Sequence, residues 1–76
     1  MKNIYVIIYA KYFKDKLWNV ENLKAFKTRE EAQEEIKRIA AQNGVKPITN
    51  YWQETMCKVQ KGSIKEMFYY QSIELQ

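Results

Sequence analysis

Seventy-six residues carrying a net charge of +4, with no histidine, one cysteine and two glycines, make a single domain, 1–76, with no room for a second core. The lone Cys57 excludes a disulfide framework, the missing histidines leave no zinc site, and the scarce glycine leaves no phosphate-cradling loop. At this size folding buries only about 60% of the surface the unfolded chain exposes, so stability must come from a good core or from self-association.

The chain begins with "NIYVIIYAKYF", rich in Ile, Val, Tyr and Phe, which predicts a first strand over 3–13. Its apolar run is short, broken by tyrosines and followed by lysines, so it does not read as a secretory signal. No stretch is long enough to predict a transmembrane span, and with one unpaired thiol the expected location is cytoplasmic. "KDK" at 14–16 is a polar turn, and "LWNVENLKAF" (17–26) returns as a second strand made irregular by Asn19 and Asn22. A short helical turn is the alternative there, and Trp18 is expected to anchor this segment on the core or cap an open face.

"KTREEAQEEIKRIAAQNG" carries the clearest signal. Thr28 stands three residues before Glu31, the capping-box spacing in which each side chain satisfies the other's free backbone N–H. Glutamates crowd the first half and Lys37 and Arg38 follow, matching the helix dipole. Gly44 and then Pro47 end it, so a helix is predicted at about 29–42. Its apolar residues Ala32, Ile36, Ile39 and Ala40 form one narrow stripe that can pack on one surface only. Residues 44–50 read as a connection, 51–60 as a third strand, "KGS" as a hairpin turn and 64–75 as a fourth strand. The expected fold is α+β: a small two-layer sandwich in the order β-β-α-β-β, with a mostly antiparallel four-stranded sheet and the helix on one face.

Side chains alternate along a strand. In the first strand Ile4, Val6, Ile8 and Ala10 share one side, and Tyr5, Ile7, Tyr9 and Lys11 share the other. The aliphatic set is expected to meet the helix, leaving the tyrosines on an uncovered face. The parity of strands 51–60 and 64–75 is open, because a bulge would exchange their faces. One helix is too little cover for so many large side chains, and an exposed aromatic face marks an interaction site. Tyr5, Ile7, Tyr9, Lys11 and Tyr69 are the candidate binding residues.

The first 29 residues hold seven basic groups against two acidic ones, whereas residues 30–45 hold four glutamates against Lys37 and Arg38. This basic bias suits an acidic partner but is weaker than the dense clusters of dedicated nucleic-acid binders. Cys57 reads as a small buried core residue, and Glu30, Glu31, Glu34 and Glu35 as a solvated helix face in place of a catalytic carboxylate pair. No catalytic residue, cofactor or metal is expected. The expected function is non-enzymatic binding through protein–protein contacts, as a homodimer or as an inhibitor or adaptor of a protein partner. The alternative is weak RNA or single-stranded DNA binding through the basic, tyrosine-bearing sheet face. Size and the lack of catalytic groups also fit phage or mobile-element proteins that bind and block a partner, an analogy of size class alone.

Overall fold

The computed structural model describes residues 2–49 and 55–75. In chain order these form β1 (Lys2–Phe13), β2 (Lys16–Phe26), α1 (Arg29–Gln42), β3 (Ile48–Thr49), β4 (Thr55–Lys61) and β5 (Ile64–Leu75). The strands make one sheet ordered β2-β1-β5-β4-β3, with every neighbouring pair antiparallel. The α+β class is as expected, but the sheet has five strands instead of four, and the order is β-β-α-β-β-β. The extra strand, Ile48–Thr49, lies in the stretch read as a connection; two residues carry no alternation that a sequence reading could detect. Of the third strand expected over 51–60, the described part begins at Thr55; residues 51–54 lie outside the described residues. Residues 17–26 are strand and not a helical turn.

Local chemistry accounts for the boundaries. Thr28 has extended backbone angles, its hydroxyl accepts from the Glu31 N–H at 3.2 Å and donates to the Glu31 carboxylate at 3.0 Å, so Thr28 caps the helix through the expected residue pair. At the other end Gly44 takes φ +69°, its N–H donates to Ala41 O at 3.2 Å, and the Val45 N–H donates to Ala40 O at 3.0 Å. That pair of bonds is the Schellman stop, and Val45 packs back on the core as the motif requires. The β4–β5 turn has Gly62 at φ +61°, the position where a II′ hairpin turn needs glycine. The β1–β2 turn uses Lys14 and Asp15, both left-handed at φ +51° and +65°. A two-residue I′ turn demands these angles, and here non-glycine residues supply them.

The core corrects the expected parity of β1. Ile7 is fully buried and clusters with Ala32, Ile36, Ile39 and Ala40 of α1, Cys57 and Val59 of β4 and Tyr70 of β5, and Tyr5, Phe26 and Phe68 pack against this cluster. The helix therefore covers the Tyr5–Ile7–Tyr9 side, not the Ile4–Val6–Ile8–Ala10 side. Volume explains the choice. A stripe with alanine at both ends leaves room above the sheet, and large rings on the sheet fill it better than aliphatic chains do. Tyr5 meets Tyr70 edge-on at 6.2 Å between centroids, and the Tyr70 hydroxyl accepts from Gln33 Nε2 at 3.4 Å. Tyrosine suits this layer because its body packs while its hydroxyl reaches a polar partner.

Candidate interaction surface

β1 and β5 pair along their full length, from Lys2 with Leu75 to Phe13 with Ile64. Residues opposite one another share a face, so the register sorts every strand residue. The side away from the helix carries Ile4, Val6, Ile8, Ala10 and Tyr12 of β1, opposite Ile73, Gln71, Tyr69, Met67 and Lys65 of β5. Leu17 and Val20 of β2 join it through their pairing with Tyr12 and Ala10. Among the described residues no element lies over this side. Val6, Ile8 and Ala10 are buried, flanked across the strands by Tyr69 and Met67. Leu17, Val20 and Ile73 remain 57%, 48% and 41% exposed.

Charge is partitioned between the two sides. Glu21, Glu66 and Glu74 are opposite Tyr9, Lys11 and Asn3, all on the helix side. The remaining described carboxylates are in the β1–β2 turn (Asp15) or on α1 and the capping box. The far side thus has no carboxylate among the described strand residues, and its cations, Lys2, Lys58 and Lys65, stand at its margins. An apolar centre with a sparse basic rim is the composition of a docking face.

The expected site residues divide between two places. Tyr5 and Ile7 are enclosed by the helix, and Tyr9 stacks at 5.0 Å on Phe68 and donates its hydroxyl to the Glu66 carboxylate. Burial first, then that hydrogen bond, then the charges of Glu66 and Glu21 push the Tyr9 phenol up to about 12. Lys11 has the same parity but lies beyond the cluster that α1 covers, near the hairpin turns. Tyr69 alone is on the uncovered side. Leu17, Val20, Tyr12, Met67 and Ile73 were not singled out from sequence, although β2's exposed apolar residues among Lys, Asn and Glu are the mark of a strand with little cover. Trp18 neither anchors β2 in the core nor caps the uncovered face; it is 68% exposed on the helix side.

The glutamate face of α1 is an ion-paired surface. Arg38 donates to both oxygens of Glu35, at 2.6 and 2.9 Å, and this holds the Glu35 carboxyl below its usual range. Glu34 lies 3.6 Å from Lys37. Cys57 is fully buried, and loss of hydration raises its thiol, the opposite of what a nucleophile needs. Among the described residues no three His, Cys, Asp or Glu side chains are grouped to hold a metal, and no helix is long and apolar enough to cross a membrane. No protein-family model, curated protein or solved structure matches this chain.

Proposed function

We propose that this is a non-enzymatic binding protein whose uncovered sheet face docks on another protein chain, with a second copy of itself as the occupant. The observation that carries the reading is an apolar side of β2, β1 and β5 that no described element covers and that has no carboxylate among the described strand residues. Leu17, Val20 and Ile73 are exposed there, and Ile4, Tyr12, Met67 and Tyr69 are half-buried around the buried Val6, Ile8 and Ala10. Strands of this length give a face about 40 Å long, and the three of them span about 14 Å, on the order of 560 Å². That is below the ~800 Å² per partner of a standard interface and in the range of small, weakly held ones. Face-to-face packing is favoured over strand addition at the β2 edge. The β1–β2 register shifts twice, between Ile7 and Ile8 and between Lys11 and Tyr12, leaving Leu23 and Trp18 without a pairing partner. Such bulges twist an edge strand away from continuous pairing with another chain.

Light scattering coupled to size exclusion tests the reading. The chain at about 200 µM should run at twice its 9.2 kDa. Val20→Lys with Ile73→Lys should return it to a monomer with unchanged circular dichroism. A wild-type monomer at that concentration refutes the second copy, and a dimer that survives both lysines places the interface elsewhere.

A further inference from the structure

The two hairpin turns lie side by side at one end of the sheet: Phe13 pairs with Ile64, and the Lys14 N–H donates to Ser63 O at 3.0 Å. At this end, on the helix side but past the helix-covered core, Lys11, Phe13, Trp18 and Ile64 line a recess of about 150 Å³. Trp18 is there because of a bulge. It is the extra β2 residue between the Lys11–Asn19 and Tyr12–Leu17 pairs, and a bulge re-aims a side chain out of the strand's alternation. Its ring meets Phe13 at 5.3 Å and 90°, so Phe13 props it edge-on, and it stays 68% exposed.

Cations surround these rings. The Lys14 ammonium sits 5.5 Å from the Phe13 centroid. Lys16 is paired with Phe13, and Lys61 with Ile64. Three carboxylates lie nearby, Asp15 at 4.0 Å from Lys65, Glu66 opposite Lys11 and accepting from Tyr9, and Glu21 accepting from Asn19, and they are outnumbered by Lys11, Lys14, Lys16, Lys61 and Lys65. The recess thus has an excess of positive charge beside a propped, exposed indole. Lysine-rich solvation would explain the cations alone, but it gives no reason to bulge a tryptophan into water beside them.

We propose that this end of the sheet is a binding site for single-stranded nucleic acid, in which a base stacks on Trp18 and the neighbouring phosphates lie among Lys11, Lys14, Lys16 and Lys61. An aromatic platform beside lysines is the arrangement that holds single strands without reading sequence. The small recess takes one planar ring, and a base in a duplex is already stacked on its neighbours. This site is separate from the uncovered face and stands or falls independently of the dimer.

The test is fluorescence anisotropy of labelled dT12 and U12 titrated with the full chain at low salt. Binding should weaken about tenfold or more in Trp18→Ala, the loss of one stacked base. The logarithm of affinity should fall with the logarithm of salt with a slope of about −2 to −3, shallower by about 1 or more in the Lys14→Gln, Lys16→Gln double variant. Ile48→Gln, at an exposed site on β3, should change neither quantity. No anisotropy change at about 100 µM chain and low salt overturns the proposal. It also falls if binding is indifferent to Trp18→Ala, or if a 12-base-pair duplex binds as tightly as the single strand. Adsorption to phosphatidylserine vesicles with no oligonucleotide binding would assign the basic, aromatic end to a lipid surface instead.

Discussion

The side on which the helix packs can be tested by one chemical change made on each face of β1. Ile7→Ala removes the three outer carbons of a fully buried side chain that clusters with Ile36, Ala32, Tyr70 and Cys57. At about 0.8 kcal/mol per buried methylene the transfer loss is about 2.4 kcal/mol. The cavity left behind brings the expected cost to about 3–4 kcal/mol. A 76-residue chain holds on the order of 4–11 kcal/mol of stability in all, so this single change removes a large share of it. Ile4→Ala is the matched control, because Ile4 is half-buried and on the uncovered side; its cost should be about 1 kcal/mol. Urea unfolding followed by far-ultraviolet circular dichroism measures both costs, and in thermal melts the midpoint temperature should drop by about 12–32 °C for Ile7→Ala against about 4–8 °C for Ile4→Ala. Equal costs, or a larger one at Ile4, would refute the assignment of the Tyr5–Ile7–Tyr9 side to the core.

Other properties follow from single contacts. The Tyr9 phenol titrates at about 12 in the folded chain against 10.0 ordinarily; a raised value keeps its stabilisation intact below pH 10 and loses it as pH climbs towards 12. Unfolding free energy should therefore fall over that window by at most about 3 kcal/mol, and Tyr9→Phe should flatten the fall. Asp15→Gly should stabilise the chain by about 0.5–1 kcal/mol in chemical denaturation, since glycine accepts φ +65° without strain and the exposed pair with Lys65 contributes little. Thr28→Ala removes the side-chain acceptor for the Glu31 N–H and should cost about 1 kcal/mol, read as a lower thermal midpoint with unchanged oligomeric state.

The helix and both hairpins were legible in the sequence because their signals are local. Thr28 with Glu31, and Asn43 with Gly44, mark the ends of α1 at Arg29 and Gln42, where the periodicity put them. "KDK" and "KGS" mark the two turns. The stripe Ala32–Ile36–Ile39–Ala40 is the buried face of the helix, as its spacing required. The idea that one sheet side lacks cover among these elements also came from counting large side chains against a single helix. Which side that is did not, and neither did the role of Trp18. Pairing register and bulges place them, and these belong to β1 and β2 jointly.

What the sequence determined by itself is therefore the helix with its single apolar face and the four longer strands, though not the two-residue β3, since capping, alternation and turn chemistry act within a few residues. Only the tertiary structure decided that Tyr5, Ile7 and Tyr9 face inward and Ile4 and Tyr12 outward. Both parities of β1 are apolar, so the strand has no preference of its own. The choice was made by what lies across from it: small alanines on α1, and Tyr70 and Phe68 on β5, leave a layer that rings fill.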